Sequence, residues 1–181
     1  PVTDVAEILF SSGTLQRYIF GDKSNFRLSP SIEEEEAYIA GVTPEASSLA
    51  FDRTRQQVKS ALRAIGAWAI REYGVSRENG CDFGSGATGF MIEELLAGQI
   101  SKPTWTQMDY NPGAVARNIA AHPDSVIRRG SYLRIKETLG FDSNLDTATG
   151  LSSLDATQDL PRAVREIKGA LKPGGILLHI Q

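Results

Sequence analysis

The sequence predicts an α/β fold, a doubly wound and mostly parallel sheet over residues 80–181, entered through a helical extension over residues 1–79. Three observations predict it. The run Gly80-Cys81-Asp82-Phe83-Gly84-Ser85-Gly86-Ala87-Thr88-Gly89 joins a segment that can be extended to the apolar helical run Phe90-Met91-Ile92-Glu93-Glu94-Leu95-Leu96. That is the strand–turn–helix context of a ligand loop: glycine permits positive φ and close approach to the backbone, and the opening helix points unpaired N–H groups at the turn. From about residue 80 onward short strands alternate with helical stretches, the pattern of a parallel sheet with crossover helices. Residues 1–79, in contrast, carry helical spacing and no strand pattern.

Taken in order, two short helical pieces are expected around Val5, Ile8 and Leu9 and around Leu15, Tyr18 and Ile19. Ser31-Ile32-Glu33-Glu34 has capping-box spacing, so the run Glu33 to Glu36 falls on a first helical turn, where the dipole favours negative charge. Gly41 can end that helix, and Thr43-Pro44 can start another. A long helix is expected from about Arg53 to Tyr73, with Val58, Ala61, Leu62, Ile65, Trp68 and Ala69 on a core-facing side. The polar run Arg77-Glu78-Asn79-Gly80 makes the first strand short. A second strand covers Thr104 to Met108 and ends at Asp109; a helix with Ala114, Val115 and Ile119 inward runs from Pro112 to Ala121. Short strands follow near Ser125-Val126-Ile127 and from Leu145 to Thr149. A helix from Leu160 to Leu171, the turn Lys172-Pro173-Gly174-Gly175, and the apolar strand Ile176-Leu177-Leu178-His179-Ile180 complete the pattern.

Composition narrows the function classes. A net charge of −3 gives no positive field that would draw nucleic acid or an anionic membrane. No apolar run approaches a membrane span, and no basic leader opens the chain. The single cysteine, Cys81, excludes an internal disulfide and fits a reducing, cytoplasmic setting. No metal site is expected: the Glu33 to Glu36 run has no histidine beside it. Arg128, Arg129, Arg134 and Lys136 form a basic cluster that reads as a solvated face, because no set of stacking aromatics accompanies it.

Residues 84–89 spell a complete G-x-G-x-x-G, a motif that dinucleotide folds use to seat a pyrophosphate. Asp82 changes that reading. A carboxylate at the strand end under the loop repels a pyrophosphate and suits a ligand with an ammonium group and a sulfonium. S-adenosylmethionine has both. Asp109 follows Gly89 at the end of the second strand. A carboxylate there can accept from both ribose hydroxyls; the alternative is a turn residue ahead of Asn111-Pro112.

Taken together, the segment from Asp82 to Gly89, the strand-end Asp109, and Leu171-Lys172-Pro173-Gly174-Gly175 before an apolar strand resemble the class I S-adenosylmethionine-dependent methyltransferases, over about residues 80–181. The resemblance implies a Rossmann-like sheet and methyl transfer. It implies that Asp82, Gly84, Ser85 and Gly86 line the methionine end of the cofactor, that Asp109 and Tyr110 hold ribose and adenine, and that Gly130 and Ser131 flank the adenine. Many members carry aspartate where Ser131 stands. Thr149, in the stretch Thr147 to Leu151, falls under the transferring methyl. The family's sheet continues beyond the fifth strand, so the strand from Ile176 to Ile180 is expected to be covered by further residues, by a second copy or by another chain. Residues 1–79 are expected to form a lid over a small, partly apolar acceptor. No catalytic base is assigned: His122 reads as a helix-end residue and His179 as a strand residue within reach of the crevice. Two other functions fit the motif, a nicotinamide-dependent oxidoreductase and a catalytically inactive subunit that works by protein contact.

Overall fold

The computed structural model describes residues 31–41, 44–74, 77–140, 144–151, 153–154, 157 and 159–180. The two helical pieces expected before residue 30 lie outside the described residues. The elements are α1 (Ile32–Gly41), α2 (Pro44–Tyr73), β1 (Gly80–Phe83), β2 (Trp105–Asp109), α3 (Pro112–Ala121), β3 (Val126–Arg129), α4 (Ile135–Leu139), β4 (Leu145–Leu151), α5 (Leu160–Ala170) and β5 (Leu171–Ile180). All pairings are parallel and the strand order is β3-β2-β1-β4-β5. The order reverses at β1, so the carboxyl ends of β1, β2 and β4 border one crevice.

Ser31 and Glu34 form the expected capping box: Glu34 N donates to Ser31 Oγ at 3.1 Å and Ser31 N to Glu34 Oε2 at 3.2 Å. Two further acids of the run, Glu33 and Glu36, meet a cation. Arg134, just before α4, pairs with Glu33 and lies 3.3 Å from Glu36, while Ile32 packs against the core. The basic cluster is therefore dispersed. Arg134 ties α1 down, Arg128 donates to Thr138 O, and Arg129 lies over the Tyr110 ring.

The core has two parts, one on each face of the sheet. Cys81, Phe83, Met108 and Ala148 meet Leu133, Ile135, Ala163 and Ile167 on one face. On the other, Met91, Ile92, Leu95 and Leu96 meet Trp105 and Leu62 of α2. Burial and the neighbouring Asp82 charge push the Cys81 thiol well above its ordinary pKa, so it is an inert core residue.

α2 corrects the expected inward face. Leu62 and Ala69 are buried, but Ile65 is 42% exposed and Trp68 45% exposed, with Trp68 set edge-on to Tyr73 at 5.1 Å. The contact line is Leu62, Gly66 and Ala69 because Gly66 lets the helix close on Leu96; a Cβ there would sit 3.2 Å from Leu96 Cδ2. In α3 the inward positions are Ala114, Val115 and Asn118, and Ile119 is 49% exposed. Asn118 takes the inward place because its Nδ2 donates to Gln107 Oε1 of β2 at 2.7 Å, which turns the next residue outward.

β1 is short and starts at Gly80, where a Cβ would lie 2.4 Å from the Trp105 indole. β3 runs two residues past its expected end, and β4 continues to Leu151. β5 begins earlier than its apolar run. Leu171 pairs with Leu145 before the chain loops out through residues 172–175, and pairing resumes at Ile176 with Thr147. β5 is an edge of the sheet. No helix among the described residues is long and apolar enough to cross a membrane.

Candidate functional site

The glycine loop leaves β1 at its carboxyl end and is held by the neighbouring strand. Gly84 N and Ser85 N donate to Met108 O at 2.8 and 3.1 Å, and Gly86 N donates to Asp109 Oδ2 at 2.9 Å. The other Asp109 oxygen accepts from Asn111 N at 2.8 Å. Asp109 is thus the turn residue before α3 and also a partner of the loop. Burial raises its pKa above the ordinary aspartate value, more than the N–H donors of Asn111, Gly86 and Tyr110 lower it. The next residue, Tyr110, is half-buried, and Arg129 caps its ring at 4.9 Å from the centroid while donating Nε to Tyr110 O at 3.2 Å. Gly130 N donates to Asp109 O at 2.9 Å, and Ser131 Oγ accepts from Leu133 N at 3.1 Å. Asp109, Tyr110, Gly130 and Ser131 are therefore brought together beside the loop.

Asp82 lies below it, 2% exposed, and accepts from Thr149 Oγ1 at 2.9 Å across the β1–β4 pairing. Thr149 is fully buried, so any effect it has on a ligand passes through Asp82. The helix expected after the loop is a five-residue π-helix, Met91–Leu95, with Leu96 N donating to Met91 O. Met91, Ile92 and Leu95 pack inward, while Glu93 and Glu94 of the same turn are half-buried.

A network that the sequence did not reveal supports the loop from behind. Glu93 pairs with Lys102, accepts from Ser125 Oγ at 3.0 Å and Gln107 Nε2 at 3.3 Å, and has His122 Nδ1 at 3.4 Å. Burial alone would raise its pKa, but the hydrogen bonds from Lys102 and Ser125 and the nearby His122 and Lys102 charges hold it below the ordinary glutamate value. His122 also reaches Thr88 O at 3.1 Å through Nε2, so it is more than a helix-end residue. Each member reads alone as a surface polar residue; only Gln107, inside a strand, carried a hint.

Two observations test whether this crevice fits the cofactor that the motif implies. Gly86 has φ +67°, and a Cβ added there would meet nothing within 4 Å, so the residue faces open space above the loop. Ser85 is 4% exposed, and its Oγ has no hydrogen-bond partner among the described residues. The open space over Gly86, which the Asp109 carboxylate tethers, fits a polar, phosphate-free ligand, while the Ser85 hydroxyl is sealed within the fold. Gly86→Val is expected to cost only about 1–2 kcal/mol in stability, from the left-handed backbone, while removing ligand affinity; thermal unfolding beside a binding titration checks both.

The family profile described as a methyltransferase domain matches residues 81–179. No curated protein sequence matches the chain significantly. Among solved structures, a Methanococcus maripaludis protein described as an S-adenosyl-L-methionine-dependent methyltransferase aligns with TM-score 0.58 at 20% identity, over 72% of this chain and 60% of that one. The sugar N-methyltransferase KedS8 from a Streptoalloteichus species aligns with TM-score 0.54 at 18% identity, over 72% and 51%. A Haloferax volcanii structure of the Trm112 methyltransferase activator in complex with a methyltransferase aligns with TM-score 0.52 at 20% identity, over 80% and 58%. The chain therefore spans about 60% of the Methanococcus protein's length. With a profile covering more than half of its residues, and with its five-stranded parallel sheet, the chain belongs to the methyltransferase-domain family, the class I S-adenosylmethionine-dependent methyltransferases with a Rossmann-like fold.

Proposed function

We propose that the chain transfers a methyl group from S-adenosylmethionine to a small-molecule acceptor. The observation that carries this reading is the state of the loop N–H groups. In a dinucleotide site they face a pyrophosphate; here those of Gly84, Ser85 and Gly86 are taken by Met108 O and Asp109 Oδ2. A phosphate entering the crevice would find these donors occupied and a carboxylate facing it. The nicotinamide reading loses its anion cradle for the same reason.

Asp109 accepts from the ribose hydroxyls through its remaining lone pairs. Tyr110, Gly130 and Ser131 border the adenine, and Arg129 keeps the Tyr110 ring in place. Gly84, Ser85 and Gly86 border the methionine end. Asp82 supplies negative potential from beneath, oriented by Thr149. The bound cofactor supplies an activated methyl on a good leaving group, so the protein's task is alignment. The tie from Arg134 to Glu33 and Glu36 supports α1 as part of a lid anchored beside Ser131, while α2 packs along the sheet face through Leu62 and Gly66. A cytoplasmic setting agrees with the lone buried cysteine.

Calorimetric titration tests the reading. S-adenosylhomocysteine is expected to bind and NAD to give no heat; the reverse result would replace the proposal with an oxidoreductase, and silence from both with a non-catalytic role. Asp109 adds a pH signature. Its folded pKa is raised, so protonation favours the unliganded fold: that stability is present below the unfolded pKa and lost as pH rises through the folded one. The ionised form receives the ribose, so homocysteine-nucleoside affinity should fall as pH drops, starting above the ordinary aspartate range. Asp109→Asn should flatten that dependence.

A further inference from the structure

The network behind the glycine loop contains a histidine whose two neighbours favour one charge state. His122 follows α3 with its backbone pinned on both sides: His122 N donates to Asn118 O at 2.9 Å, and His122 O accepts from Ser125 N at 3.0 Å. Nδ1 lies 3.4 Å from Glu93 Oε2, and Nε2 lies 3.1 Å from Thr88 O in the loop. Both neighbours are acceptors. A neutral imidazole carries one N–H and serves only one of them; the imidazolium serves both. Glu93 stays ionised across the neutral range. Burial opposes its charge, but the bonds from Lys102 and Ser125 and the nearby His122 and Lys102 charges keep its pKa low. A neutral ring keeps its proton on Nδ1, toward the carboxylate, because a charge-assisted bond is the stronger. Nε2 then turns a lone pair on Thr88 O, and attraction gives way to repulsion. Glu93 N also donates to Gly89 O at 2.8 Å, so the turn that holds the ring holds the next loop residue too.

We propose that His122 is a positioning residue for the cofactor loop: protonated, it holds Thr88 in place, and neutral, it lets Thr88 go. The inference deepens the methyl-transfer reading and rests on it. The loop is held from two sides by groups of opposite sign. The Asp109 carboxylate takes Gly86 N on one, and the His122 imidazolium takes Thr88 O on the other. The charged groups that face His122 are Glu93, from the π-helix, and through it Lys102, from the short turn Lys102–Thr104. The glycine loop brings no charge, and on its own segment Asp124 stands two residues further on. Lys102 pairs with the same Glu93 oxygen, so it opposes the ring's charge without replacing its bond to the loop. The His122 side chain is 26% exposed, and its proton exchanges with solvent without unfolding. Cofactor affinity should therefore fall as pH rises through the His122 titration. Asp109 weakens it at the acid end, so the full profile is bell-shaped.

The Gly89 amide shares a peptide group with Thr88 O, so its nitrogen resonance reports the bond with no ligand present. Labelling threonine at the carbonyl carbon and glycine at nitrogen singles out Gly89 and Gly150, the two glycines that follow a threonine. The Gly89 resonance should titrate with the same midpoint as the His122 ring; the chain has two histidines, and His122→Gln or His179→Gln assigns their signals. Calorimetry then follows S-adenosylhomocysteine across the neutral range. Affinity should weaken about fivefold from the protonated to the neutral form, as expected for one lost hydrogen bond. Binding should also take up protons, read from the change in heat between buffers of different ionisation enthalpy. Both effects should vanish in His122→Gln, whereas a purely structural histidine would change stability and give neither. The shared midpoint in the parent decides the matter even if that variant is unstable. A Gly89 resonance that ignores the His122 titration, an affinity flat across the neutral range, or a neutral limb that survives in His122→Gln overturns this inference and leaves the methyl-transfer reading intact. Absence of nucleoside binding at every pH overturns both.

Discussion

Asp109→Ala is expected to weaken S-adenosylhomocysteine binding about 100-fold or more while the protein stays folded. Two hydrogen bonds from ribose hydroxyls to a carboxylate are worth about 1.5–3 kcal/mol each, and each 1.4 kcal/mol is about tenfold. The substitution also frees Gly86 N and Asn111 N, which now donate to the carboxylate. On the proposed reading Asp109 would act indirectly as well as directly: without it, Gly86 loses its tether and the loop can drift. Asn at this position keeps one acceptor and should recover part of the affinity. Calorimetry gives the dissociation constants, and circular dichroism reports whether the fold is retained. An affinity within threefold of the parent's would remove Asp109 from the ribose site.

Gly89→Ala is expected to destabilise the protein by about 3 kcal/mol or more, although the change adds a single methyl. Gly89 has φ +57°, which costs a side-chain-bearing residue about 1–2 kcal/mol. The new Cβ would stand 2.1 Å from Gln107 Oε1. Gln107 cannot swing aside cheaply, since it is 1% exposed, accepts from Asn118 and donates to Glu93. Displacing it leaves buried polar atoms unpaired at about 1–3 kcal/mol each. The midpoint of urea unfolding should drop sharply with unchanged slope. Gly86→Val, three residues earlier, is the control, because its side chain enters open space. If both variants unfold alike, backbone strain alone governs the loop and the Gln107 contact adds nothing.

The alternation of strands and helices after residue 80 was readable, as was the placement of the glycine loop and Asp109 at neighbouring strand ends, because glycine spacing and strand-end acids are local signals. The capping box at Ser31 and the α3 start at Pro112 were readable for the same reason. What the sequence hid depends on contacts between elements. Ile65 and Trp68 repeat at helical spacing as convincingly as Leu62 and Ala69; which line faces inward was decided by Gly66 closing on Leu96. Ile119 looked inward until Asn118 was seen paired with Gln107. Glu93, Lys102, Gln107, Asn118, Ser125 and His122 lie on separate elements, and no spacing rule joins them. Ser153 is one of two adjacent serines between leucines, where nothing marks it. Its position against Gly84 exists only once β4 has paired with β1.

The loop amides spoken for by Met108 and Asp109 have a thermodynamic corollary. A recognition loop already stitched to its own sheet has little disorder left to surrender on capture. Encounter should then resemble a key entering a finished lock, with its entropic toll falling on the flexible guest and on whatever folds down over it.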